Sequence, residues 1–130
     1  MNKLLTVLLC IFTFTAFGQI NRTDLCKTWI AYKYQESNGR QFLPPPEMKK
    51  DYLKINPNGT YESLESGQLR IKGKWIFIEK DSTLTLTQKI SKELPSKIKS
   101  KILKLTSEHF VVEGIDAGGG KLKIYSKRKK

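Results

Sequence analysis

The stretch Tyr52-Leu53-Lys54-Ile55-Asn56-Pro57-Asn58-Gly59-Thr60-Tyr61-Glu62-Ser63-Leu64 decides the fold. Two runs rich in β-branched and aromatic residues flank Asn56-Pro57-Asn58-Gly59, and Gly59 supplies the positive φ that a tight turn between antiparallel strands demands. The same pattern repeats outward. Glu65-Ser66-Gly67 leads into the longest strand candidate, 68–79, and Lys80-Asp81-Ser82 into Thr83-Leu84-Thr85-Leu86-Thr87, whose strict alternation marks a strand buried on one face. Thr106-Ser107-Glu108 separates strand candidates ending at Leu105 and starting at His109, and Asp116-Ala117-Gly118-Gly119-Gly120 turns the chain into a last strand, 121–126. With a first strand over 27–35 and another over 97–105 the count is eight. Short strands at such regular spacing, punctuated by turns, imply an all-β fold, an eight-stranded antiparallel up-and-down barrel.

One segment carries a second reading. Ile90, Leu94, Ile98 and Ile102 recur every fourth residue and Leu105 follows at helical spacing among lysines, which would suit a basic amphipathic helix. Pro95 breaks a continuous helix through the stretch, although it could open one, and the barrel needs a strand over 97–105. The long connection 36–50 contains Phe42, Leu43 and Pro44-Pro45-Pro46, so it is stiff, partly apolar and suited to capping a cavity.

The amino terminus reads as a secretory signal over 1–18: a charge at Lys3, an apolar run from Leu4 through Phe17, and small residues at Ala16 and Gly18, with cleavage before Gln19. The run is shorter than the roughly 20 residues that span a bilayer and is interrupted by Thr6, Thr13 and Thr15. Cys10 does not make a lipoprotein site, because Leu9 precedes it where a small residue is needed and the apolar stretch continues beyond it. The expected product is a single domain, 19–130, secreted or periplasmic. Cys26 is then its only cysteine, which excludes a disulfide within the chain.

The formal charge is +12, and Lys3 is the signal's only contribution to it. Export makes nucleic acid an improbable partner and leaves anionic envelope surfaces, acidic polysaccharide or small anionic ligands, unless the charge serves only solubility. Lys97, Lys99, Lys101, Lys104 and the tail 127–130 are the candidate contacts for such a surface.

No catalytic set is legible. The chain offers one histidine, His109, and no Gly-x-Ser-x-Gly or His-Glu-x-x-His, so neither a hydrolase triad nor a zinc site is implied, and no cofactor is expected. Gly73-Lys74 and Gly120-Lys121 lack the hydroxyl residue and first glycine of a phosphate loop. An oligonucleotide-binding barrel would use interleaved rings and lysines, but it has five strands.

Candidate binding residues come from alternation. Leu69, Ile71, Gly73, Trp75 and Phe77 share one face of the long strand, with Arg70, Lys72 and Lys74 on the other, so the apolar face points inward. If the interior holds a ligand, Trp75 and Phe77 line it with Tyr61; ordinary core packing is the alternative. Counting from an inward Trp29 through Ala31 places Lys33 inside, where its ammonium needs an anion, unless a bulge turns Lys33 outward and Tyr32 or Tyr34 in. Trp29 itself is expected at the closed end, covered by a cation from the last strand, Arg128 first and Lys127 second.

In these features the chain resembles the small exported lipocalin-like proteins of bacteria. Lys27-Thr28-Trp29 stands in place of the family's Gly-x-Trp, after a turn over Thr23-Asp24-Leu25-Cys26, with Lys27 replacing the glycine. Gly73-Lys74-Trp75 keeps a Gly-x-Trp in the fourth strand, Thr106-Ser107-Glu108 stands where the family has Thr-Asp-Tyr, and Lys127 or Arg128 could be its terminal basic residue. The resemblance implies the barrel; with the inward apolar face, an inward Lys33 and no legible catalytic set, the expectation is an exported binding protein for a small apolar or amphipathic anionic ligand, not an enzyme.

Overall fold

The computed structural model describes residues 20–89, 95–115 and 119–130. The expected signal segment, and Ile90 and Leu94, lie outside them. A short helix, α1 (Arg22–Leu25), precedes nine strands: β1 (Thr28–Glu36), β2 (Gln41–Phe42), β3 (Tyr52–Ile55), β4 (Thr60–Glu65), β5 (Leu69–Ile78), β6 (Thr83–Lys89), β7 (Pro95–Leu105), β8 (His109–Ile115) and β9 (Lys121–Arg128). From β3 onward each strand pairs antiparallel with the next, and β1 pairs with both β3 and β9, which closes eight strands into an up-and-down barrel. β2 adds two residues beside the far end of β1, where Tyr34 opposes Phe42. Residues 97–105, the described part of the segment with helical spacing, lie in strand β7, as the eight-strand count requires. A proline at the first residue of a strand is tolerated because its missing N–H removes little of the ladder.

In β5 the alternation read from the sequence is the one the barrel uses, although Leu69, at the strand's first residue and expected inward, is exposed. Along β5, Trp75 and Phe77 are buried while Lys72, Lys74, Ile76 and Ile78 are exposed. The β3–β4 turn takes its shape from Gly59 at φ 88°, and Asn58 Oδ1 accepts from the Thr60 N–H at 3.1 Å. Gly73 is needed for a different reason. A Cβ there would run into the Thr87 carbonyl oxygen and stand 2.8 Å from the Tyr61 ring, so its absence lets β4 and β6 approach β5 closely.

The closed end is organised by two tryptophans. Trp29, 1 % exposed, donates its indole N–H to the Leu25 carbonyl at 3.0 Å and packs on Phe110 with centroids 5.2 Å apart. Trp75 donates to the Asn56 carbonyl at 2.8 Å, fastening the β3–β4 turn. Between them α1 lies across the base: Leu25 is fully buried, and the Arg22 guanidinium sits 4.8 Å above the Trp75 ring. Lys27, where the family motif has glycine, bridges Asp24 at 3.3 Å and the Ser107 carbonyl at 3.2 Å, tying the helix to the β7–β8 turn.

The expected cover of Trp29 by Arg128 is therefore corrected. Arg128 is the register partner of Trp29 across β1 and β9, but among the described residues no cation stacks on Trp29. Leu25 and Phe110 already cover the ring, and Arg128 turns instead to Glu108 at 3.7 Å. The stacked cation at this end is Arg22, on the other tryptophan.

Gly73→Ala should destabilise the barrel by about 3 kcal/mol, because the added methyl meets backbone that cannot move aside without opening the β5–β6 pairing. A urea-unfolding midpoint equal to that of the wild type would contradict this account of the glycine.

Candidate functional site

Above the tryptophan base the barrel interior is hollow. The cavity measures about 330 Å³, within the range of small-molecule sites, which begins at roughly 300 Å³. Trp29, Tyr61 and Phe110 lie at the edge of the core and line its floor, Leu53, Leu86, Val112 and Ile124 line its walls, and Tyr34, Met48 and Asp51 stand toward the mouth. The hollow arises from residue size: Ala31, Ser63, Ser100 and Ser126 point inward where larger side chains would fill the space.

The long loop after β1 is folded against this mouth. Tyr34 stacks on Phe42 with centroids 5.3 Å apart and planes 16° from parallel. A 3-10 turn at Pro46–Met48 then sets Met48 into the lining. The Asp51 carboxylate accepts from the Ser66 and Gly67 N–H groups at 2.9 and 2.8 Å, clamping the loop to the β4–β5 turn.

Of the residues singled out in the sequence, Tyr61 lines the cavity. Trp75 and Phe77 do not; they are packed into the core beneath it, the alternative that the same alternation allowed. Lys33 is outside. The β1–β9 register shifts between Ala31 and Lys33, leaving Tyr32 as an extra residue, so Lys33 opposes Tyr125 and its ammonium lies 4.2 Å from that ring. The bulge brings Tyr34 inward in its place. A register break of one residue leaves no trace in an alternation pattern, and the run Ala31-Tyr32-Lys33-Tyr34 reads equally well in either phase.

Among the described residues the lining contains no lysine, arginine or histidine, and its charged members are the carboxylates Asp51 and Glu65. The lining therefore lacks the cation that an inward Lys33 would have offered an anionic ligand. Tyr34, Tyr61, Ser63, Ser100, Ser126 and Gln88 bring polar side-chain groups to the lining, and among the described residues those groups are not hydrogen-bonded within the chain. Burial raises the phenol pKa of both Tyr34 and Tyr61, and the negative charges of Asp51 and Glu65, respectively, add to it. The cavity thus offers neutral donors and acceptors on an apolar wall.

Cys26 and His109 are not brought together. The thiol, its pKa pushed up by burial, donates to the Arg22 carbonyl at 3.8 Å beneath the base, and the His109 ring meets Tyr32 edge-on outside the barrel. No group of three histidine, cysteine or acidic side chains suited to a metal occurs among the described residues.

The tyrosine shifts have a stability consequence. The folded chain holds these phenolic protons more tightly than the unfolded chain, so their contribution is complete below the ordinary tyrosine pKa of about 10 and is lost as pH rises through the higher folded values. Urea midpoints should fall as pH is raised past about 10, and fall less steeply in Tyr34→Phe; equal slopes for the two proteins would remove Tyr34 from the account.

No family model matches the sequence, and no curated protein is detectably similar to it. Solved structures are similar in fold. A lipocalin-like protein from Bacteroides uniformis ATCC 8492 superposes with a TM-score of 0.60 at 14% identity, covering 82% of this chain and 99% of its own. An uncharacterized protein from Bacteroides eggerthii DSM 20697 gives 0.58 at 12%, with 81% and 99% covered. The closed eight-strand barrel described above thus has the lipocalin-like fold.

Proposed function

We propose that the exported chain is a binding protein for a small, largely apolar ligand with an uncharged polar group. The observation that carries this reading is the cavity itself: about 330 Å³, walled by aliphatic and aromatic side chains, with free hydroxyls and an amide. An apolar body gains by leaving water, at about 25 cal/mol per Å² buried. The hydroxyls then reward a ligand that brings a hydroxyl, carbonyl or amide to meet them, since a polar group buried without a partner costs free energy. An anionic head would enter a site whose fixed charges are negative, so a neutral polar end suits it better. Residues 1–18 supply the reason for placing this activity outside the cytoplasm.

The test is a fluorescence titration with an uncharged apolar dye such as N-phenyl-1-naphthylamine. Saturable binding near one dye per chain is expected. Ala31→Phe should weaken it at least about tenfold, which corresponds to about 1.4 kcal/mol, by filling the void, whereas Lys33→Met should leave it unchanged. Absence of saturable binding would overturn the proposal, and loss on Lys33→Met would return that lysine to the interior.

A further inference from the structure

The outer wall of β5, β6 and β7 carries an arrangement that the cavity does not use. Register aligns Lys74, Thr87 and Lys97 in one row, Ile76, Thr85 and Lys99 in the next, and Ile78, Thr83 and Lys101 in a third, with Lys72 one step nearer the mouth on β5. Rows on one face are about 7 Å apart along the strands, and β5 and β7 are separated by about 9 to 10 Å, so five ammonium groups share one small surface. All five lysines are exposed, and none of their ammonium groups makes an ion pair or hydrogen bond among the described residues. No carboxylate stands in the rows. Among the described residues, Glu62 on β4 stands opposite Lys72 and accepts from the Tyr52 hydroxyl at 3.0 Å, Glu113 on β8 stands opposite Lys101 and lies 4.0 Å from Lys121, and Glu79 and Asp81 lie in the turn between Ile78 and Thr83 without pairing to these lysines.

Among these lysines Ile76 and Ile78 are 59 % and 45 % exposed. A face that served solubility alone would have no use for two bare isoleucines between unpaired cations. A second copy of the chain would set lysine against lysine. A soluble polyanion would satisfy the ammonium groups and leave the isoleucines in water. A lipid surface answers both features, because phosphates meet the lysines while short apolar side chains sink to the headgroup boundary. We propose that the outer face of β5–β7 docks on an anionic lipid bilayer, through Lys72, Lys74, Lys97, Lys99 and Lys101 with Ile76 and Ile78 inserted.

The experiment is co-sedimentation of the full chain with vesicles of phosphatidylcholine, with and without phosphatidylglycerol. The apolar run 4–17 would bind both kinds, so the quantity read is the ratio of affinities for anionic and neutral vesicles. The wild type should strongly favour anionic vesicles. Lys97→Gln, Lys99→Gln and Lys101→Gln combined should lower that ratio by roughly a hundredfold, at about fivefold per lysine. Ile76→Ser with Ile78→Ser should lower affinity for anionic vesicles severalfold, and neutralising Lys127, Lys129 and Lys130 should change little. All these side chains are exposed, and an unchanged circular dichroism spectrum would show each variant folded. Unchanged anionic affinity in the isoleucine variant, with a soluble polyanion competing fully, would overturn the proposal in favour of polyanion binding. So would equal binding to both vesicle types, or loss in the tail variant alone.

Discussion

The indole N–H of Trp29 is held by the Leu25 carbonyl at 3.0 Å while its ring rests on Phe110, and this arrangement governs the closed end. A tryptophan at the start of β1 must be buried together with its one polar atom, and a buried N–H without an acceptor would cost about 1 to 3 kcal/mol. Helix α1 supplies the acceptor and, in doing so, is drawn beneath the barrel. Once there, Leu25 fills the base and Arg22 reaches the Trp75 ring on the opposite wall. The same strand segment pairs with β3 on one side and β9 on the other, so anchoring Trp29 also fixes where the sheet closes.

The hollow follows from how side-chain bulk is distributed. Trp29, Trp75, Phe77, Ile102 and Phe110 belong to one contiguous core, and the inward positions beyond them include Ala31, Ser63, Ser100 and Ser126. Each inward serine forgoes apolar packing and leaves a hydroxyl facing the void. A sequence selected only for stability would place leucine or valine there, since filled interiors approach the density of organic crystals. The cavity therefore lowers stability locally, and the base offsets that loss with two hydrogen-bonded tryptophans.

Eight strands and their order were legible because alternation and turn chemistry agree along most of the chain: Gly59 with its positive φ, Thr83 to Thr87 with strict period two, and Gly73-Lys74-Trp75 in the longest strand; over 97–105, where the apolar spacing also suited a helix, the barrel count decided for the strand. Tyr61 was recognisable as a cavity residue for the same reason. Trp75 and Phe77 were correctly turned inward, but alternation specifies a face and not a depth, and depth separates floor from foundation. The pairing of Arg128 with Trp29 was right in register and wrong in contact. Sequence cannot show that Phe110 and Leu25 have already occupied the ring. The clamp of Asp51 on Ser66 and Gly67 had no signal, since it joins a loop to a turn across 15 and 16 residues.

The bulge at Tyr32 decides the chemistry of the interior. In an unbroken β1, Lys33 would follow Ala31 into the barrel, and desolvating an ammonium there costs several kcal/mol unless an anion answers it. One extra residue reverses the phase. Lys33 then lies on the outer Tyr125 ring, where it keeps access to water, and Tyr34 enters the mouth with a phenol that burial and Asp51 hold in its neutral form. The exchange replaces a fixed positive charge by a neutral donor and acceptor, leaving the lining with no cation even though the chain as a whole carries +12. Among the described residues basic charge is thereby kept to the outside of the barrel, where the rows on β5 and β7 concentrate it, while the inside answers to apolar area and neutral hydrogen bonds. Two surfaces with opposite preferences are separated by the thickness of a single sheet, and the register of one strand keeps them apart.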